Sequence, residues 1–232
     1  MKNPKSFIVT NFSENIFLIR IDLKKEFLDT SLFFLSLSEF LRNAEIWIEV
    51  VSAEESISVK YNCLDLSSSS AKKILHEQLE EFSYQEIPEN NPLISIPVYY
   101  SKEFGLDIDD MTDKLSLSLQ EIANLHSSIT YKVKAVGFTP GFAYLGDLPD
   151  QLFMPRLDQP RVSLLPGSVG ISENRTGIYP FGGPGGWRII GSTPKKLFDP
   201  KKNNPFLITA GKNIKFEAIT KNQYEDYEQE NL

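Results

Sequence analysis

Four of the chain's six arginines, Arg156, Arg161, Arg175 and Arg188, fall between positions 137 and 194, a stretch with no lysine although the chain has 18. Guanidinium is a planar fork that meets carboxylate or phosphate oxygens in pairs, whereas lysine is the usual solvated surface cation. The same stretch holds 11 of the 13 glycines and 8 of the 14 prolines. Interleaved with them are Phe138, Phe142, Tyr144, Phe153, Tyr179, Phe181 and Trp187, an aromatic content that disordered segments lack. The mixture predicts short strands joined by tight turns, with backbone able to come close to a ligand. Two readings follow. One is a small-anion site built from loops on a β scaffold; the other is turn glycines with surface arginines.

Other chemistries find less support. GGPGGW at 182–187 lacks the Lys-Ser/Thr of a phosphate loop. Gly167-Ser168-Val169-Gly170 has the wrong register for a nucleophile elbow, and no histidine follows it. Two histidines and one cysteine do not make a typical zinc site. Asp147, Asp150 and Asp158 read as turn formers and caps. The chain therefore lacks an evident nucleophile, metal site or ATP cradle, which suits a binding module or one half of a site completed by another subunit.

The elements that position the arginines come next. At 232 residues the chain can bury a real core in one large or two small domains. A net charge of −7 argues against nucleic acid or an anionic membrane as the main partner. No stretch is apolar enough to span a membrane, and the lone Cys63 fits a reducing, cytoplasmic setting. Residues 6–90 read as ββαββα: strands at 6–10 and 15–21, a helix over 23–42, strands at 46–51 and 56–61, and a helix over 70–82. His76 lies on the charged side of that last helix, as a surface residue. The polar, proline-bearing segment 84–92 suits a boundary between domains. Beyond it the pattern predicts a strand at 94–100, a helix over 105–114 opened by Asp107, and a helix over 118–127 whose Ser118 and Glu121 form a capping box. His126 falls on the apolar stripe of that helix. Strands follow at 131–136, 207–208 and 214–219, and 224–232 reads as an acidic, disordered tail.

In order along the chain, GFTPGFAYLGDL, PRLDQPR, PGSVGI, TGIYP, GPGGWRIIG and STPKKLFDP resemble the hallmark motifs of the B subunit of the prokaryotic ATP-dependent 5-oxoprolinase. That family also holds KipI-type inhibitors of sporulation histidine kinases and the first subunit of allophanate hydrolase-like proteins. The resemblance is strong from about Ile96 to Ile219 and ordered but weaker before residue 90. It implies an α+β chain: a small ferredoxin-like domain over 1–90, then a cyclophilin-like β-barrel domain over 91–232 with the acidic tail. It also implies cleavage of 5-oxo-L-proline to L-glutamate together with homologues of the C and A subunits. ATP would be bound with or by those partners, and no metal is expected. Phosphorylation of the lactam oxygen would overcome the amide resonance that slows direct hydrolysis.

On that reading Arg156, Arg161 and Arg175 are expected to hold the small carboxylate substrate or a phosphate. Phe142 and Trp187 are its apolar walls, Thr176 a hydrogen-bond partner, and His126, Ser168 and Tyr179 candidates for proton transfer or hydrogen bonding. His126 owes its place there to the resemblance. The alternative is a regulator that binds a sensor histidine kinase through a groove lined by Phe138, Phe142, Phe181 and Trp187. A peptidyl-prolyl isomerase is set aside, because a fold does not carry its functions with it.

Overall fold

The structure, a computed structural model, describes residues 7–21, 30–84 and 92–230. The chain divides into two compact units, Met1–Asn90 and Asn91–Leu232. Secondary structure is mixed, and the class is α+β. The expected boundary segment 84–92 lies almost wholly outside the described residues.

The first unit is a four-stranded antiparallel sheet with two helices. Strand β1 (Phe7–Ser13) turns through Glu14 and Asn15 into β2 (Ile16–Ile21), with a bulge between Asn11 and Ser13. Pairing thus runs further than the strand expected at 6–10. Phe17, Ile19 and Ile21 alternate inward on β2. Helix α1 (Thr30–Arg42) buries Phe33, Phe34, Leu37 and Leu41, one face at helical spacing. The part of the expected helix before residue 30 falls outside the described residues. Then come β3 (Glu49–Ser52), β4 (Ile57–Lys60) and α2 (Ser68–Glu81). Helix α2 is capped by Ser67, whose hydroxyl accepts from the Ser70 N–H at 3.1 Å. The sheet order is β1-β2-β4-β3. The order ββαββα is the one expected from the pattern, and it differs from the βαββαβ of a ferredoxin-like unit. His76 and Cys63 are exposed.

In the second unit β5 (Leu93–Val98) leads to α3 (Ile108–Leu115) and α4 (Leu119–Ser128), then β6 (Thr130–Val136) and β7 (Ala143–Gly146). After a 3-10 turn at Asp150–Leu152 come β8 (Arg161–Leu164), β9 (Ser168–Ser172), β10 (Arg175–Ile178), β11 (Gly183–Gly185), β12 (Arg188–Ser192), β13 (Asn213–Ala218) and α5 (Lys221–Glu230). Seven strands form one sheet, ordered β12-β9-β10-β7-β6-β13-β5, in which only β13 and β5 run parallel. The sheet curls until its edges meet: just past β5, Tyr99 exchanges backbone hydrogen bonds with Ser192 of β12, at 2.9 and 3.1 Å. Closure removes two exposed edges that would otherwise invite foreign strands. Strands β8 and β11 make a separate two-stranded ribbon.

Val169, Ile171, Ile178, Leu145, Val133 and Phe216 are among the residues that fill the interior. A second, smaller cluster joins Phe142, Leu164, Tyr179 and Ile189, with Tyr144 and Trp187 packed against it. Helix α4 carries the expected capping box, Ser118 with Glu121. Helix α3 starts after Asp107 as expected, but the Asp107 side chain makes no cap bond.

Two sequence expectations are corrected. Residues 207–208 do not form a strand; the local pairing is a single bridge between Phe198 and Phe206. The tail from 224 is helix α5 through Glu230 rather than disorder. Its anchor is Tyr224, 6 % exposed, packed on Phe104 and Tyr99 at ring separations of 5.0 and 6.0 Å, with its hydroxyl 3.2 Å from Ser192 Oγ. Gln223 Oε1 accepts from the Thr220 N–H and so caps the helix start. One buried aromatic outweighs an otherwise polar composition.

Candidate functional site

The four arginines of the central stretch take four different roles. Arg188, at the head of β12, is 7 % exposed; its Nε donates to the Pro155 carbonyl at 3.2 Å and its Nη1 pairs with Asp110. Arg175 lies over Gly146, pairs with Asp147 Oδ1 at 2.8 Å and donates to the Asn174 carbonyl at 3.1 Å. It belongs to a surface ion pair and is not brought to the other candidates, because β10 presents it beside β7. Arg161 Nη2 donates to Asp107 Oδ1 at 2.8 Å. Arg156 alone has no carboxylate partner among the described residues, and it lines a cavity.

That cavity, of about 310 Å³, is walled by Phe138, Phe142, Tyr144, Tyr179 and Trp187, with Gly185 and, beside Arg156, Gly186 also lining it. Its size is at the small end of ligand pockets. The rings pack edge to face: Phe142 stands 5.5 Å from Trp187 and 5.3 Å from Tyr179, and Tyr144 is 5.8 Å from Trp187. Such packing fixes ring orientation beyond the area buried. Two glycines make it possible. A Cβ on Gly177 would lie 3.1 Å from both the Phe142 and Trp187 rings. One on Gly186 would lie 3.2 Å from Arg156 Nη2, so the guanidinium rests against bare backbone.

Tyr179 supplies a polar group whose titration its surroundings shift. Burial raises its phenol pKa, while the Trp187 backbone N–H and the positive charges of Arg156 and Arg161 pull the other way. It is a neutral donor at physiological pH. Phe138 holds φ at +68° and is 59 % exposed, standing over Phe142 and Tyr179. It also borders a second, apolar cavity of about 410 Å³ with Phe142, Phe206 and Ile208. Phe181 packs edge-to-face against Phe198 instead of lining the first cavity, so the expected four-residue groove is not assembled.

His126, Thr176 and Ser168 point elsewhere. His126 is 0 % exposed and lies in a closed relay. Thr176 Oγ1 donates to the Gly170 carbonyl at 3.0 Å, so it accepts from His126 Nε2–H at 2.8 Å. His126 Nδ1 then accepts from the Tyr100 hydroxyl at 2.6 Å. The ring also faces Phe216 at 4.4 Å. Burial lowers its pKa to about 3 and holds the Tyr100 phenol well above its usual range. His126 is thus a neutral core residue, closed to any ligand, and Thr176 shares its burial. Ser168 is buried too, its hydroxyl donating to the Leu165 carbonyl at 2.7 Å. Of the expected site residues, Arg156, Phe142, Tyr179 and Trp187 meet at the cavity, and Arg161 stands opposite Gly185 in the β8–β11 ribbon.

Asp107 is the residue that sequence reasoning missed. Buried at 4 % exposure, it accepts from Arg161 and, through Oδ2, from the Ile189 N–H at 2.7 Å. Its helix-opening position was visible in sequence, but its partners 54 and 82 residues away were not. Among the described residues no cluster of side chains could hold a metal ion, and no helix is long and apolar enough to cross a membrane.

Comparison with known proteins places this geometry. Residues 9–208 match the family profile of the carboxyltransferase domain, subdomain C and D. The 5-oxoprolinase B subunit of Bacillus subtilis (strain 168) is 37 % identical over 194 residues, covering 79 % of this chain and 80 % of that one. The crystal structure of TTHA0988 is 27 % identical with a TM-score of 0.76, covering 92 % of this chain and 40 % of its own length. Kluyveromyces lactis urea carboxylase shares the fold at 16 % identity and a TM-score of 0.77, over 98 % of this chain and 23 % of that much longer one.

Proposed function

This chain belongs to the family of the carboxyltransferase domain, subdomains C and D, among the proteins named as the B subunit of 5-oxoprolinase, and we propose that it holds 5-oxo-L-proline by its carboxylate. Partner subunits, homologues of the A and C subunits, then complete the ATP-dependent opening of the lactam to L-glutamate. The observation that carries this reading is Arg156: a guanidinium with no carboxylate partner among the described residues, beside a small cavity of aromatic rings. The rings would cover the apolar edge of a flat five-membered lactam, the guanidinium would take its carboxylate, and the neutral Tyr179 hydroxyl would donate to a ring or carboxylate oxygen.

A triphosphate does not fit the residues that line this cavity: no lysine is among them and they include one arginine. The nucleotide is therefore assigned to the partner subunits. We read the second unit as a cyclophilin-like barrel, supported by the sheet that closes at Tyr99 and Ser192. We place the protein in the cytoplasm, in keeping with its exposed free thiol at Cys63.

The test is Arg156→Lys, which keeps the charge and loses the fork. Titration calorimetry with 5-oxoproline should show a loss of about 1–3 kcal/mol, the usual worth of a charge-assisted hydrogen bond. In the complex with the A and C subunits, KM for 5-oxoproline should rise in parallel. Unchanged affinity in both Arg156→Lys and Arg156→Gln refutes the assignment.

A further inference from the structure

The two guanidinium groups whose charges act on Tyr179 are electrically unlike. Arg161 is already neutralised by Asp107 at 2.8 Å. Behind that pair, Arg188 is matched with Asp110 and stands 4.0 Å from Asp107, while Lys114 holds the exposed end of Asp110. Along the row Arg161, Asp107, Arg188 and Asp110, two positive charges meet two negative ones. Arg156 is left as a single uncompensated positive charge beside the cavity. Among the described residues, the buried Arg161 Nη1 makes no hydrogen bond. A buried unpaired donor is rare and costly, and a ligand oxygen would satisfy it. The chain sets Arg161 beside the cavity by pairing its backbone in register with Gly185, which lines the cavity wall.

We propose that the cavity selects monoanionic ring acids, and that Asp107 is the positioning residue that sets this selectivity. Arg156 supplies the one net charge. Arg161 stands beside the cavity with a charge that Asp107 has already cancelled. A second negative charge on the ligand would enter a site with no uncompensated cation left to balance it. The location of the ligand rests on the cavity assigned above; the charge selection does not depend on which ring acid is the substrate.

The experiment titrates the full chain at pH 7.5 with 5-oxoproline, cyclopentanecarboxylate, glutarate and inorganic phosphate. The wild-type protein should bind at least one ring acid tenfold or more tighter than glutarate or phosphate. Asp107→Asn, which uncovers the Arg161 charge, should narrow that ratio by roughly tenfold by strengthening the dianions. Arg156→Gln should lose the ring acids. Binding of cyclopentanecarboxylate without 5-oxoproline supports the charge selection while removing the 5-oxoproline reading. Equal wild-type affinity for mono- and dianions overturns the proposal, as does failure of both ring acids to bind. An unchanged ratio in an Asp107→Asn protein with wild-type circular dichroism overturns it too. Should that variant not fold, the wild-type ratio and that of Arg161→Gln, which should weaken every anion and phosphate most, decide the matter.

Discussion

His126 makes a measurable claim about acid stability. Its pKa falls from 6.5 to about 3 in the folded chain because burial disfavours the imidazolium. In the unfolded chain the ring titrates at its ordinary value. Between those two values the unfolded state binds the extra proton, so this residue's contribution is full above about pH 6.5 and is lost as pH falls toward 3. The slope is about 1.4 kcal/mol per pH unit, which gives about 2 kcal/mol at pH 5 and an upper bound near 5 kcal/mol at pH 3. Carboxylate protonation also destabilises the fold in this range, so the quantity to measure is a difference. Urea unfolding of wild type and His126→Gln, at steps from pH 7.5 to 4.5, cancels the carboxylates common to both. The variant should be less stable at pH 7.5, because it breaks the relay from Tyr100 through Thr176 to Gly170. The gap should shrink by about 2 kcal/mol by pH 5. A gap independent of pH would mean that the histidine is solvated or already charged, and the burial argument would fail.

Tyr224→Ala should detach α5 and cost about 3 kcal/mol, the scale of an aromatic truncation in a packed site; trypsin should then cut at Lys221 in the native state, and stability within 0.5 kcal/mol of wild type with no new cleavage would contradict the packing seen at Tyr99 and Phe104. Gly177→Ala places a Cβ 2.9 Å from the Ala143 carbonyl and 3.1 Å from two cavity rings, so urea unfolding should show about 1–3 kcal/mol of overpacking strain and 5-oxoproline titration a weaker complex; wild-type values in both would show that the rings are not held as described.

What the sequence could reveal depended on range. Helix α4 was legible because its capping box and apolar stripe are local signals. The arginines were legible as types, since a fork among glycines and aromatics suggests an anion. Which arginine was free was not, because Asp107, Asp110 and Asp147 take their partners from 28 to 78 residues away. Ser168 and Thr176 were misplaced for a different reason. Strand β9 is buried throughout and β10 at all but its first residue, so the two-residue alternation that assigns a face is erased. The stripe bearing His126 showed that the residue faces inward, and nothing local could show that Tyr100 and Thr176 satisfy both ring nitrogens. The tail was misread because an acidic composition was weighed above Tyr224, whose packing partners lie more than a hundred residues upstream.

The cavity's inventory bears on how chemistry could occur there. Its walls are aromatic rings, glycine and proline, two phenols and one guanidinium. A guanidinium keeps its proton at any physiological pH. The Tyr179 phenol is held above its ordinary value by burial, so it donates a hydrogen bond but does not abstract a proton. The histidine nearest in sequence to these strands is sealed in the core and neutral. Opening an amide needs a base or nucleophile matched to neutral pH, and none lines this wall. The wall can bind and orient: it presents a flat apolar face, one charge and directed donors. Exposed Phe138 leaves apolar surface at its edge for another chain to cover. On the function proposed above, a wall that recognises a carboxylate but carries no proton-transfer group would be complete only when a second surface brings that group to it.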